Sequence, residues 1–164
     1  MPKYGIQFAS QTTSTSPKSI LGCYMVTTLT MDAEIVEVIA TGSGSVAAAD
    51  IQTRVQLVPF TFGATGASTS ITPIAFNPRA AAALGNYGTN YSTEPTTSAA
   101  VVPVFFAHNQ RGGMRWAVPQ GEGYKINSNG ITHYGATVQT LSSAAGNEDA
   151  NLHLCREINQ LACV

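Results

Sequence analysis

The stretch Ile51-Gln-Thr-Arg-Val-Gln-Leu-Val-Pro-Phe60 has the clearest two-residue periodicity in this chain of 164 residues. In a stretch of this kind, one set of side chains faces a hydrophobic core and the alternate set faces solvent. The stretch therefore predicts a β-strand that covers a core. The inward side would carry Ile51, Thr53, Val55 and Leu57, and the outward side Gln52, Arg54 and Gln56.

Further segments rich in β-branched and aromatic residues are separated by Gly, Pro, Asn and Ser, and they indicate about eight or nine strands in all. The other main candidates are 21–29, 33–40, 101–107, 114–118, 131–141 and 151–158. Residues 63–70 and 86–99 are interpreted as loops. In and just after the candidate 131–141, the side chains expected to face outward are Thr137, Gln139 and Ser142.

One segment favours a helix. Asn77 can cap it, Pro78 suits its first position, and Gly85 can end it. A helix of about two turns is too short to organise a fold. The sequence therefore predicts an all-β protein, an antiparallel β-sandwich or barrel with at most one short helix.

The segment 111–126, RGGMRWAVPQGEGYKI, raises the question of whether it binds phosphate or turns corners. It lacks the spacing of a phosphate-binding loop, and no helix is predicted after it. It is interpreted as turn, strand, turn, strand: a hairpin turn at a glycine pair, a strand with the Trp facing inward, a Pro that ends the strand, and a second tight turn. The residues expected to fill these structural roles are Gly112, Gly113, Trp116, Pro119, Gly121 and Gly123.

The first nineteen residues are predicted to form an extended N-terminal arm, followed by a single domain over 20–164. Tyr4, Ile6 and Phe8 alternate with polar or small residues, which is typical of a strand that pairs with another element, here a neighbouring subunit. The following polar tract, 10–17, has too little apolar surface to pack alone. A flexible terminus is the alternative. Removal of 1–19 is expected to leave the domain folded and to weaken attachment to its partner.

The composition excludes several classes of partner. Only 10% of the residues are charged, against an average of about 25%, and a surface with so little charge favours association with copies or partners. The net charge is −1 and the arginines are scattered, so no nucleic-acid surface is expected. No apolar stretch is long enough to span a membrane, and the N-terminus lacks the apolar core of a signal peptide.

Residues with catalytic or metal-binding chemistry do not form a recognisable motif. The three histidines and three cysteines have unrelated spacings, and the cysteines are expected to be reduced thiols. His153 and Cys155 share a strand without a predicted orienting residue, and Asp32, Glu34 and Glu37 are interpreted as solvated charges. The sequence therefore predicts no catalytic residue, no metal site and no cofactor. The remaining residues considered are His108, His133, Cys23 and Cys163.

Several of these segments, in this order, resemble the capsid decoration, or cement, proteins of tailed bacteriophage heads. The resemblance covers roughly residues 17 to 158 and rests on turn and core signatures. Glu94 and Pro95 are interpreted within it as a structural turn. The segments that carry it are Pro17-Lys-Ser-Ile-Leu-Gly, Ala33–Ala40, Ser70-Ile-Thr-Pro-Ile, Asn77-Pro-Arg, Glu94-Pro-Thr and Arg115-Trp-Ala-Val-Pro-Gln-Gly-Glu-Gly.

The resemblance implies a β-sandwich of jelly-roll type located in the virion, on the outer capsid surface. There it would clamp neighbouring copies of the major capsid protein. A homotrimer is implied by the resemblance alone, since no motif of this chain sets the oligomeric state. Tyr4, Ile6 and Phe8 of the arm would contact the capsid or a neighbouring subunit by strand addition.

The alternative function is a carbohydrate- or receptor-binding β-sandwich module on a virion or cell surface. In that case tyrosine rings would stack on sugar rings. A small hydrolase is a third reading, but it would need a convergent triad that the sequence does not contain. The tyrosines considered for sugar binding are Tyr87, Tyr91, Tyr124 and Tyr134.

Overall fold

The structure is a computed structural model that describes residues 2–25, 32–42, 51–60, 65–83, 85–97, 102, 104–109, 111–127, 134–144 and 146–157. Within these residues the chain forms twelve strands and no helix. The strands are β1 (Lys3–Thr12), β2 (Lys18–Tyr24), β3 (Asp32–Gly42), β4 (Gln52–Phe60), β5 (Ala67–Ser70), β6 (Ile74–Ala75), β7 (Asn86–Thr93), β8 (Val104–Asn109), β9 (Gly113–Ala117), β10 (Tyr124–Asn127), β11 (Gly135–Ser142) and β12 (Asn147–Glu157).

The strands form two antiparallel sheets. The first sheet has the order β10-β3-β12-β1-β6, and β9 pairs with the part of the β3 edge that β10 leaves free. The second sheet has the order β5-β7-β2-β11-β4-β8. The predicted all-β, antiparallel sandwich is therefore confirmed, whereas the jelly-roll connectivity stays a prediction.

The hydrophobic core lies between the two sheets and takes side chains from both. Strand β4 shows how the sequence pattern produces it: Val55 and Leu57 are buried in this core, while Gln52 is exposed. Thr53 is also buried on the inward side. The two faces predicted for this strand are confirmed.

Strand β1 corrects the prediction of a separate arm. It pairs along its length with β12 and, near its start, with β6, so residues 3–12 belong to the first sheet of this chain. Tyr4 and Ile6 are buried in the core, and Phe8 packs against it. These three side chains are therefore not free to anchor a neighbouring subunit. The alternation was interpreted correctly as a strand, but its partner is β12 of the same chain.

The predicted helix at 77–85 is also wrong. Asn77 starts a turn instead: its side-chain Oδ1 accepts a hydrogen bond from the N–H of Arg79 at 3.0 Å, and its carbonyl accepts one from the N–H of Ala80 at 2.9 Å. The carbonyl of Ala81 then accepts a bond from the hydroxyl of Tyr4 at 2.5 Å. A helix of two turns is barely stable because its nucleation is costly, and here a local turn and one tertiary hydrogen bond use backbone groups that a helix would need.

Two segments interpreted as loops are strands, β5 and β7. The sequence of β7 is mostly polar, so it did not predict a strand. The ring of Tyr91 on β7 is fully buried, and the space for it is left by residues of β2 and β7 that lack side chains. Gly22 of β2 lies directly opposite Gly88 of β7, and a Cβ atom on Gly22 would meet the hydroxyl of Tyr91. The two glycines therefore make room for a ring that periodicity alone would not place.

Thr137, Gln139 and Ser142 were predicted to face outward, and all three are buried. Strand β11 lies inside the second sheet between β2 and β4, and both its faces are covered. Buried polar groups need partners. Thr137 donates to the carbonyl of Leu21 at 2.9 Å, Gln139 donates to the hydroxyl of Ser19 at 3.3 Å, and Ser142 shares a 3.1 Å hydrogen bond with Thr53.

Candidate functional site

A row of directly paired residues crosses the first sheet on the face that points away from the core. Successive strand pairings set Glu37 of β3 opposite His153 of β12, His153 opposite Gly5 of β1, and Gly5 opposite Ile74 of β6. Directly opposed residues of antiparallel strands place their side chains side by side. The fold therefore brings together residues that lie far apart in the sequence.

The polar end of this row is built on Glu37. Its carboxylate accepts hydrogen bonds from Nε of Arg115 and, at 2.5 Å, from Nδ1 of His153. Partial burial raises the pKa of Glu37, but the hydrogen bonds and positive charges of Arg115 and His153 outweigh that effect and lower the pKa below its ordinary value of 4.5. Glu37 is thus an anion that holds the imidazole in one orientation.

The apolar end of the row is exposed. Ile74 is 64% exposed and Phe76 is 61% exposed, which is unusual for side chains of this size. The ring of Phe76 packs against the imidazole of His153 edge to face, with centroids 5.0 Å apart and planes at 87°. The imidazole in turn lies over Gly5, where a Cβ atom would stand 3.3 Å from its Cδ2.

A trough of about 200 Å³ lies beside these groups. Gly5 contributes to its floor, and its lining includes both apolar residues and residues with hydrogen-bonding side chains. We call it the sheet trough. It is lined by Gly5, Gln7, Ile74, Ala75, Phe76 and His153.

The Glu37 contacts predict how stability depends on acid. The folded pKa of Glu37 is lower than its unfolded value, so its stabilising contribution is complete above about pH 4.5 and is lost as pH falls through the folded pKa. We expect the difference in free energy of unfolding between the parent chain and Glu37→Gln to shrink as pH falls below that value.

This expectation is checked by urea unfolding at a series of pH values. Glu122→Gln is the matched control, because Glu122 is exposed and its loss should change stability by no more than about 0.5 kcal/mol at any pH. A difference between the parent chain and Glu37→Gln that stays the same down to strongly acidic pH would contradict the role given to Glu37.

A second carboxylate, Glu34, was interpreted as a solvated charge, and this is wrong. Its side chain is buried, with 1% exposure. It accepts hydrogen bonds from the N–H of Gly121 at 2.8 and 2.9 Å and from the N–H of Gly123 at 2.5 Å. Glu34 therefore holds the loop that joins β9 to β10, and these two strands follow one edge of β3 on either side of it.

Glycine is required at two positions of this loop, for a different physical reason at each. Gly121 has φ of 100°, a conformation that other residues rarely adopt. At Gly123 a Cβ atom would stand 2.4 Å from the carbonyl oxygen of Ile35 and 2.6 Å from Cγ of Glu34, so the close approach requires glycine. Just after β9, the N–H of Val118 donates a hydrogen bond to the carbonyl of Val36 at 2.9 Å. Pro119 follows and is exposed.

The first glycine pair does not form the predicted hairpin. The strand before it, β8, pairs with β4 in the second sheet, and the strand after it, β9, pairs with β3 in the first. The connection at Gly112 and Gly113 therefore passes from one sheet to the other, and neither glycine has a positive φ. Trp116 faces the core side of β9, where it is half-buried and packs against the core cluster.

Glu94 and Pro95 lie at the end of β7 beside the start of β2. The carboxylate of Glu94 accepts a hydrogen bond from the N–H of Ser19 at 2.8 Å and lies 3.8 Å from Nζ of Lys18. Pro95 is buried. These contacts join the ends of two neighbouring strands, and they do not connect to the sheet trough.

The tyrosines considered for sugar stacking are not on the surface. Tyr87, Tyr91 and Tyr134 are buried, and Tyr124 is half-buried against the core. Burial raises the pKa of Tyr124 to about 12. Rings packed in this way cannot present a face to a sugar, so this part of the carbohydrate interpretation is wrong.

The candidates for catalysis or metal binding are dispersed. His108 lies on β8 in the second sheet and His153 on β12 in the first, while His133 and Cys163 lie outside the described residues. Cys23 is fully buried, and this burial raises the pKa of its thiol to about 12, which disfavours the reactive thiolate. Over the described ranges, no three His, Cys, Asp or Glu side chains are grouped to hold a metal ion.

The sequence contained only a weak signal for the sheet trough. Periodicity in β1 places Gly5 and Gln7 on the outward face, but nothing in the sequence relates them to His153 or to Phe76.

No helix in the part of the chain that the structure describes is long and apolar enough to cross a lipid bilayer. Comparisons of the chain with protein-family models, with curated proteins and with solved structures find no match.

Proposed function

We propose that this protein is a virion structural protein, a head decoration or cement protein that binds the outer capsid surface through the exposed face of its first sheet. The observation that carries the proposal is the exposed pair Ile74 and Phe76 at the rim of the sheet trough. Large apolar side chains grouped on a surface and bordered by polar groups mark sites of protein–protein contact.

The low charge of the chain supports the same proposal. A domain that must lie flat against a protein lattice has to desolvate its contact surface, and each unpaired charge in that surface would oppose binding. Only 10% of the residues here are charged. On the docking face the central carboxylate, Glu37, is already paired with Arg115 and hydrogen-bonded to His153.

Cement function needs no reaction. A protein that bridges several major capsid subunits gains avidity from repeated contacts, so a modest affinity for each subunit is sufficient. In this proposal the homotrimer and the position between capsid subunits come from the family resemblance. The contact side chains come from the first sheet, rather than from the arm residues Tyr4, Ile6 and Phe8, which are committed to the core or packed against it.

The carbohydrate- or receptor-binding alternative is favoured by one observation only. Phe105 on the second sheet is 59% exposed, with the guanidinium of Arg54 over its ring at 5.3 Å from the centroid. An exposed ring can stack on a sugar. However, the guanidinium already covers one face of it, so this surface supports the alternative less strongly than the sheet trough supports protein docking.

The test is co-sedimentation with capsid shells of the parent virus that were prepared without this protein. We expect saturable binding at a fixed ratio to the major capsid protein. Phe76→Ala should weaken it about tenfold or more, since anchors in interface pockets contribute about 1.4 kcal/mol or above. Phe105→Ala is the matched control, because it removes an equally exposed ring from the other sheet and should leave binding within about twofold.

Three outcomes distinguish docking through the first sheet from docking through another surface and from the absence of a capsid function. Selective loss with Phe76→Ala supports docking through the first sheet. Equal binding by both variants would move the contact surface elsewhere on the protein. Absence of binding by the folded parent chain would contradict the capsid function, and a melting shift with glycans that Phe105→Ala removes would then favour the carbohydrate-binding alternative.

A further inference from the structure

The hydrogen-bonding polarity of the sheet trough is fixed by Glu37. A carboxylate can only accept hydrogen bonds, so Nδ1 of His153, at 2.5 Å from it, must carry a proton. The charged imidazole has a donor at both nitrogens, whereas in the neutral imidazole Nε2 is an acceptor, and it is this neutral form that can accept a hydrogen bond in the trough. Nε2 lies over the floor of the trough, 3.5 Å from the position of a Cβ atom on Gly5.

The rest of the trough suits a flat apolar group. Phe76 and Ile74 are the large apolar side chains of its lining, and the absence of a side chain at Gly5 lets the imidazole of His153 and the ring of Phe76 lie close over the backbone, 3.3–3.5 Å from the position of a Cβ atom. The volume of about 200 Å³ is below the range of about 300–1,000 Å³ found for sites that hold drug-sized ligands or cofactors. The trough therefore fits a single side chain of a partner protein.

We propose that the sheet trough seats a tyrosine side chain of the protein to which this domain docks. The ring packs against Phe76 and Ile74, and the phenol hydroxyl donates a hydrogen bond to Nε2 of His153. That the partner is a capsid subunit rests on the proposed function. The chemistry of the seat depends only on the residues of this chain.

Other anchors fit the trough less well. An aliphatic or phenylalanine side chain would cover Nε2 of His153 and the amide of Gln7 without offering a donor, and a covered acceptor without a partner opposes binding. A lysine or arginine would place a charge against the apolar side chains of the lining, while the carboxylate that could neutralise it is already bonded to Arg115 and His153. Tyrosine supplies both a ring and one donor, and it is enriched among interface anchors.

The experiment uses the isolated full chain and three capped amino acids, N-acetyl-tyrosinamide, N-acetyl-phenylalaninamide and N-acetyl-tryptophanamide, titrated by NMR at mildly alkaline pH. We expect tyrosinamide to shift the amide signals of Gly5 and Gln7 and to bind about fivefold more tightly than phenylalaninamide, the effect of one added hydrogen bond. In His153→Phe, which keeps a ring of similar shape but lacks Nε2, the preference should fall to about one.

The outcomes separate this proposal from the capsid proposal. Shifts outside the trough, equal affinities for tyrosinamide and phenylalaninamide, a preference for tryptophanamide, or no shift at the highest soluble concentration would each overturn the tyrosine seat. A persistent preference in His153→Phe would overturn the role of Nε2. A positive titration together with failure to bind capsid shells would leave the seat intact and reject the capsid partner.

Discussion

A chain that lacks residues 1–12 is expected not to fold. These residues contain β1, which lies between β12 and β6 in the first sheet. Its loss removes Tyr4 and Ile6 from the core, each a fully buried side chain whose removal costs about 2–5 kcal/mol. It also removes the hydrogen-bonding partner of β12. The sum reaches the total stability of about 5–15 kcal/mol that is usual for a domain.

The measurement is the dispersion of the amide NMR spectrum together with the cooperativity of urea unfolding. Removal of Met1 and Pro2, which precede β1, is the matched control and should leave the unfolding midpoint nearly unchanged. Tyr4→Ala gives an intermediate case, with a loss of about 3–5 kcal/mol. A truncated chain that unfolds cooperatively at the parent midpoint would restore the interpretation of residues 1–19 as an arm.

Glu34→Ala is expected to lower the free energy of unfolding by about 2–4 kcal/mol. It removes a buried acceptor and leaves the N–H groups of Gly121 and Gly123 without their hydrogen-bond partner, each at a cost of about 1–3 kcal/mol that water at the loop surface partly offsets. Chemical denaturation measures the loss. Hydrogen exchange at the two glycine amides should accelerate by more than that at the neighbouring strand β3.

Glu122→Ala is the control for this prediction. Glu122 lies in the same loop and is the same residue type, but it is exposed, so its removal should change stability by no more than about 0.5 kcal/mol. Equal and small effects of the two substitutions would contradict the idea that a buried carboxylate organises the loop between β9 and β10.

The interpretation of 111–126 shows how far local signals reach. The strand, its inward Trp116 and the later turn at Gly121 and Gly123 follow from pattern and turn chemistry, and the structure has them. The same signals mispredicted Gly112 and Gly113 as a hairpin. A glycine pair can serve any sharp change of direction, and whether the next strand returns to the same sheet depends on which free edge lies nearby.

Polar strands were the other source of error. β7 and the outward side of β11 carry Thr, Ser, Asn and Gln, which favour loops or solvent by composition. Both are nevertheless at least partly buried, because neighbouring segments cover the second sheet and supply hydrogen-bond partners. A partner that is remote in sequence leaves no local signature, so the sequence could not distinguish a satisfied buried polar strand from a loop.

The sequence by itself determined that this protein is an antiparallel all-β protein with little charge, because alternation decides which face of a strand is buried without reference to its neighbours. Only the tertiary structure decided that β1 belongs to the core and that Glu34 is buried. It also decided that Glu37, His153, Gly5 and Ile74 form one row. Glu37 and His153 are 116 positions apart. Their meeting depends on strand order and register, which arise from the packing of the whole sheet.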